Sequence, residues 1–376
     1  MSAHPQQPDR IAELDGVRGI AILFVLAMHG LYIGPLLGLD VMAHPYARIA
    51  WLGWAGVDVF FVLSGFLITG ILLRSKDGPH RNRYFRNFYV RRALRIFPLY
   101  YLVIVLLLYV LQRPEASADA KLSYLLYYQN IRYALVGERL IDPARLITWS
   151  LAIEEQFYLV WPAVVWFASR RALRIVCLLM IAGAIASHLL LLQNGFEHTH
   201  FLTPCRMDAL AAGALIAVLP TPRAAVGALI GYVATLLGIA GLVATAYATG
   251  ASTPESLGQQ RWGLFAALSL GVGFVHLARS RNVLSPVFRF DSLRAFGKYS
   301  YCIYLTHMLV VEWLSYRLLA TDPETVVMWR DRLTPVGCVI VFTVLAALGS
   351  LLVAAVSWHV FEKWFLRLKR YFPSVT

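Results

Sequence analysis

Charge is scarce in this sequence. Asp, Glu, Lys and Arg together make up 15% of its residues, while 59% are hydrophobic. That balance excludes an ordinary water-soluble domain. Acidic residues are scarcest, 21 against 34 Lys and Arg, for a formal net charge of +13. Only four cysteines occur, Cys177, Cys205, Cys302 and Cys338, without Cys-x-x-Cys spacing. This excludes a disulfide framework and leaves them as small buried apolar residues. No metal centre is expected. Linkers between globular domains and internal repeats are also missing, so one domain is expected over 1–376.

Long apolar runs are what the sequence has instead. A run of about 18 or more mostly apolar residues reads as a membrane span. The candidates are 15–37, 51–73, 92–112, 149–168, 175–192, 204–220, 226–249, 262–278, 299–319 and 336–360. The predicted fold class is all-α, a polytopic integral membrane protein with about ten transmembrane helices in a bundle. The first run lacks a small-residue cleavage site and is followed by further spans, so it reads as an uncleaved helix rather than a signal peptide.

The basic excess fits the same picture. With the N-terminus in the cytoplasm, Lys and Arg of the cytoplasmic segments outnumber those of the outer segments roughly two to one. An even number of spans then returns the C-terminus to the cytoplasm. Membrane topology explains the charge, and no nucleic-acid partner is expected. The segment 113–148 becomes the longest outer loop, and its part 121–135, rich in Leu and Tyr, is expected to form a short interfacial helix.

Ionisable residues inside these runs are the candidates for chemistry, because hydrocarbon makes them costly. Arg18 and His29 lie eleven residues apart in the first run, a rise of roughly 16 Å on a helix. Arg18 would sit near one membrane face and His29 at or beyond the middle. In the second run, Asp58 needs a partner or water, and Ser64 and Gly65 are small enough to let helices approach closely. Arg92 and Arg95 share a helical face at the membrane side of Arg18. They read either as a solvated collar or as a phosphate site, since Arg binds phosphate through paired hydrogen bonds. Glu154 and Glu155 follow Trp149 and Ser150. They either favour the helix dipole, or one points inward beside Ser150 and Tyr158 and polarises His29. Arg206 and Asp208 are two apart, so each is expected to pair with another helix. His307, in the ninth run, is open to a structural or a chemical reading.

These motifs, in this order, resemble the acyltransferase-3 family of multi-pass membrane O-acyltransferases. The resemblance rests on Arg18-x10-His29 after Leu-Asp-Gly, the stretch from Val57 to Phe66, and Arg92-x-x-Arg95. Trp149 to Tyr158, Arg206 to Leu210, Ser300 to His307 and Glu362-Lys363 complete it. It implies transfer of an acyl group, commonly acetyl from acetyl-coenzyme A, to a hydroxyl of a surface glycan, a lipid-linked saccharide or a secreted molecule. Arg18 and His29 match the family's functional pair, Arg92 and Arg95 its second basic motif, and Glu154 its glutamate better than Glu155 does.

On this reading His29 is the general base, oriented by Glu154 or Asp58, with Ser150 nearby. A transient acyl-enzyme on His29 or a serine is the alternative. Arg18, Arg92, Arg95 and Ser64 hold acyl-coenzyme A, which is a donor substrate; no permanently bound cofactor is implied. Trp149, Arg206, Asp208 and His307 face the acceptor. The implied partners are membrane lipid and a carbohydrate or other hydroxyl acceptor, and a homo-oligomer is compatible with the reading. The implied location is the bacterial cytoplasmic (inner) membrane. Some members carry an added extracytoplasmic hydrolase-like domain, which is not expected here. Trp364 stands where a proline is common after the Glu-Lys pair. A transporter or flippase for a lipid-linked or acylated substrate would also use buried charges, but it does not predict an arginine cluster for coenzyme A. A purely structural membrane subunit leaves the buried Arg and His unexplained.

Overall fold

The computed structural model describes residues 11–36, 44–111, 117–137, 142–249, 259–321 and 332–373. Among these, ten helices have 16 residues or more, as the ten apolar runs predict. They are α1 (Ala12–Gly30), α2 (Ala55–Asp77), α3 (Tyr84–Val105), α4 (Trp149–Phe167) and α5 (Arg170–Gln193). The chain continues through α6 (Thr203–Val218), α7 (Ala224–Thr249), α8 (Leu264–Arg279), α9 (Asp291–Thr321) and α10 (Pro335–Ser357). Among the described residues, five helical stretches are long and apolar enough to cross a membrane by length and composition alone: Pro45–Asp77, Arg81–Val110, Arg170–Gln193, Ala224–Ala248 and Pro335–Tyr371. The chain is an integral, polytopic membrane protein. In such a protein helices satisfy their own backbone groups where lipid cannot.

Helices α1 and α2 form the centre. Helix α1 packs against α9 and α2, and α2 packs against α6 and α8. The apolar window of the α2 stretch is 61% buried, against 22% for α5 and 22% for α7. The outer helices instead expose Leu178, Leu179, Leu236, Leu237 and Leu352, the surface a lipid-facing helix requires. The central contacts are close because glycines make them so. A Cβ on Gly65 would lie 1.9 Å from the Leu210 carbonyl oxygen, and one on Gly213 would lie 1.9 Å from that of Val62. Backbone thus meets backbone between α2 and α6, as small residues permit in membrane bundles. Gly297 on α9 does the same against the Asp15 carbonyl of α1, at 1.7 Å.

Where the part 121–135 of the loop 113–148 is expected to form one interfacial helix, the described residues form two short ones, Ala118–Leu125 and Gln129–Val136. Tyr127 turns the chain between them with φ 55°, a left-handed conformation that breaks the helix. Tyr100, Tyr124, Tyr133, Gln129 and Thr148 tie this segment to α3 and α4 through a buried hydrogen-bond network. Residues 113–116 and 138–141 of that loop lie outside the described residues.

Candidate functional site

Two cavities meet inside the bundle. One, of about 110 Å³, is lined by Arg18, Ser64, Arg92, Arg95, Ser150, Glu154 and Tyr158 together with apolar and aromatic side chains. The other, of about 490 Å³, is lined by His29, Asp58, Arg206, Trp149 and further aromatic residues. Val57 and Tyr304 line both, so a valine and a tyrosine form the partition. The Tyr304 hydroxyl donates to the Ile147 carbonyl at 3.0 Å and lies 2.7 Å from Ser150 Oγ. These bonds fix the ring between α9 and α4.

The smaller cavity collects positive charge. Arg18 comes from the first half of α1, and Arg92 and Arg95 come from one face of α3. The helical spacing seen in the sequence therefore does bring the three together. Arg18 Nη1 donates to Asp15 at 3.0 Å. The Arg92 guanidinium lies over the Tyr158 ring, 4.8 Å from its centre. Glu154 faces these cations from α4. It accepts a hydrogen bond from Ser64, whose hydroxyl accepts in turn from Tyr158 at 3.0 Å. A Tyr-Ser-Glu chain thus joins α2 to α4 beside the arginines, with Arg92 over its tyrosine. Among the residues that line this cavity, three guanidinium groups face a single carboxylate, Glu154, a lining suited to a multiply charged anion.

The larger cavity is aromatic, with buried polar atoms in its wall. Arg206 Nη2 donates to Asp58 Oδ1 at 2.5 Å, and the two side chains are 2% and 1% exposed. Arg206 also lies over the Phe61 ring, 5.5 Å from its centre. Among the described residues, Asp58 Oδ2, Arg206 Nε and Nη1, and His200 Nδ1 make no hydrogen bond. Trp51, Trp54, Trp149, Tyr32 and Phe201 supply flat apolar walls. His29 stands at the end of α1. Its Nδ1 lies 2.9 Å from the Val25 carbonyl and 3.2 Å from Nε2 of His307.

Several expectations change once these positions are known. The ring partner of His29 is His307, not Glu154 or Asp58. Glu154 is held by Ser64 in the other cavity, and Asp58 is held by Arg206. Ser150 bonds Tyr304 at the partition. Arg206 pairs with another helix as expected, but Asp208 does not: its Oδ1 accepts from the adjacent Ala209 amide at 2.8 Å. Asp208 and His307 line neither cavity, whereas Trp149 and Arg206 line the larger one. Ser64 and Gly65 divide their roles, the serine bonding Glu154 and the glycine admitting α6.

Tyr304 and His200 are among the cavity residues that the sequence pattern does not single out. Tyr304 lies one turn before His307 on α9, and that spacing is the signal that could have found it. His200 lies in a short 3-10 turn, Thr199–Phe201, where no periodicity marks it.

The comparisons with known proteins agree on a class. A family model described as an acyltransferase domain matches residues 11–357. The chain is 28% identical over 352 residues to the peptidoglycan O-acetyltransferase OatA of Listeria monocytogenes, covering 85% of this chain and 52% of that protein. It is 28% identical over 391 residues to the putative peptidoglycan O-acetyltransferase YrhL of Bacillus subtilis, covering 96% and 56%. The O-acetyltransferase OatA of Staphylococcus aureus is 27% identical over 340 residues, covering 81% and 51%. The chain spans about half the length of these curated relatives. No solved structure matches it.

Proposed function

The chain belongs to the acyltransferase-3 family, and on that premise we propose that it moves an acetyl group from acetyl-coenzyme A to a sugar hydroxyl of a surface glycan or lipid-linked saccharide. The observation that carries this reading is the pair of cavities with a shared partition. One suits the phosphates of coenzyme A, and the other suits a sugar. Sugar rings stack on aromatic faces and offer hydroxyls to buried polar groups, and the larger cavity has both features. The names of the relatives make a peptidoglycan sugar the first acceptor to try.

In this mechanism Arg18, Arg92 and Arg95 hold the phosphates by charge-assisted hydrogen bonds. Glu154 offsets part of their charge and orders Ser64 and Tyr158. The pantetheine arm carries the thioester past Val57 and Tyr304 to His29. His29 takes the proton of the acceptor hydroxyl as general base. The acceptor oxygen bonds to the acetyl carbon as the carbon–sulfur bond breaks. The proton on His29 then goes to the departing coenzyme A thiolate. Asp58 and Arg206 are the charged residues in the wall of the sugar's cavity. The arginine cavity opens to the cytoplasm and the histidine cavity to the outside. Cysteine labelling that reached position 79, in the turn before α3, only from the outside would reverse this orientation.

The direct test is release of coenzyme A from acetyl-coenzyme A by the purified protein, measured against peptidoglycan fragments and lipid-linked sugars. Acceptor-dependent release with an acetylated product supports the reading. Movement of the sugar across proteoliposomes without thioester cleavage refutes it.

A further inference from the structure

His307 is fully buried and lines neither cavity, so it does not touch an acceptor held in either. Its surroundings dictate where its proton sits. His307 Nδ1 lies 2.8 Å from the Tyr304 carbonyl and 3.1 Å from the Ile303 carbonyl. Carbonyl oxygens only accept, so Nδ1 carries the hydrogen. In the neutral ring, Nε2 is then a bare acceptor.

That acceptor faces Nδ1 of His29 at 3.2 Å. The same Nδ1 faces the Val25 carbonyl at 2.9 Å, another group that only accepts. Both neighbours of His29 Nδ1 therefore call for a hydrogen on it, shared between them. The neutral His29 ring then has its lone pair on Nε2. This nitrogen lies on the far side of the ring from Val25 and His307, and His29 itself lines the larger cavity.

We infer that His307 is a positioning residue, which holds His29 as its Nδ1–H tautomer and so keeps Nε2 ready to accept a proton from a hydroxyl in the larger cavity. The type of bond at the second nitrogen commonly sets which ring nitrogen of a histidine is active. Here the role that a carboxylate often fills in a triad falls to a second imidazole. A neutral partner suits a bundle interior, where a buried carboxylate beside His29 would need a countercharge of its own. The close packing of α9 on α1 at Gly297 and Asp15 holds the backbones that carry the two rings.

The inference rests on the acyl-transfer reading only for its kinetic arm. In the first arm, the protein with 15N-labelled histidine is examined by NMR in detergent or lipid, with His29→Gln identifying the signals. Wild-type His29 should show a protonated Nδ1 and a bare Nε2. In His307→Leu, which keeps bulk but leaves the Val25 carbonyl as the one remaining acceptor beside Nδ1, the Nε2–H form should gain population over wild type. A wild-type His29 with bare Nδ1 overturns the inference whatever the protein catalyses.

In the second arm, His307→Leu and His307→Gln are compared in acetyl transfer. A glutamine can donate to the α9 carbonyls or accept from His29, and its carbonyl oxygen replaces the Nε2 lone pair. His307→Leu should lower kcat by ~10²-fold or more, the low end of general-base losses, with the KM for acetyl-coenzyme A unchanged. His307→Gln should recover turnover to within about tenfold of wild type at matched thermal stability. Equal turnover in the two variants returns His307 to a packing role. If His307→Leu does not fold, the tautomer signal and the turnover of His307→Gln against wild type decide the matter: both retained supports the inference, and lost turnover with normal folding overturns it. Loss of acetyl transfer in the wild type itself would instead count against the proposed function.

Discussion

The Arg206–Asp58 pair makes a sharp energetic test because it separates stability from acceptor binding. Both side chains are almost wholly buried, at 2% and 1% exposure, with a 2.5 Å contact between them. Replacing only Arg206 by methionine leaves the Asp58 carboxylate without its countercharge. Breaking a buried pair in this way costs about 3–5 kcal/mol. Replacing both, as in Asp58→Leu with Arg206→Met, removes both desolvation penalties, and such exchanges are often neutral or stabilising. The double variant should therefore be more stable than Arg206→Met alone, with a coupling energy of roughly 3 kcal/mol, at the upper end for residues in contact. Unfolding in mixed detergent, followed by circular dichroism on all four members of the cycle, measures it. Additive losses would refute the claim that the two charges depend on each other. The same double variant then tests function. It should still bind acetyl-coenzyme A while its KM for acceptor rises, because both charged residues of the larger cavity's wall are gone. An unchanged acceptor KM would make the pair scaffold only.

Arg92→Ala and Arg95→Ala should each weaken acetyl-coenzyme A binding by about 1.5–3 kcal/mol, the worth of a hydrogen bond to a charged group. Calorimetry that finds unchanged donor affinity in both would return them to a solvated collar. His29→Gln should lower the transfer rate by ~10²–10⁴-fold while the protein still inserts and binds donor, and near-normal turnover would remove His29 from the role of base. Gly65→Ala should destabilise the fold by about 1–3 kcal/mol through overpacking, because its Cβ would meet the Leu210 carbonyl at 1.9 Å. A wild-type unfolding midpoint would show that α6 moves aside freely.

The ten long helices were legible because runs of apolar residues are what a membrane demands. The meeting of Arg18, Arg92 and Arg95 was legible for a related reason: helical rise and spacing fix depth and face. Which helix each buried group would turn towards was not legible. A helix apolar all round gives no stripe to identify its inner face, so Glu154 and Asp58 were equally plausible neighbours of His29. Only the packing assigns Glu154 to Ser64, Asp58 to Arg206 and His29 to His307. Asp208 misled for the opposite reason. A carboxylate in a span suggests a distant partner, yet this one accepts from the amide of the next residue, Ala209.

Val57 and Tyr304, which both cavities share, carry an electrical consequence. Across an ordinary bilayer the potential falls over a hydrocarbon core of about 30 Å. On the proposed orientation, with one cavity open to each side, much of that fall would be compressed onto one isopropyl group and one phenol ring. A charge crossing there would gain or lose about 2.3 kcal/mol per 100 mV. In the proposed mechanism the phosphates would stay among the arginines, and the thioester that passes the partition is neutral. If an outer sugar is modified from an inner donor as proposed, no net charge crosses, so the rate should be indifferent to membrane voltage. The same partition sets a limit on Tyr304 itself: a side chain small enough to ease the passage of the donor also opens a path for ions.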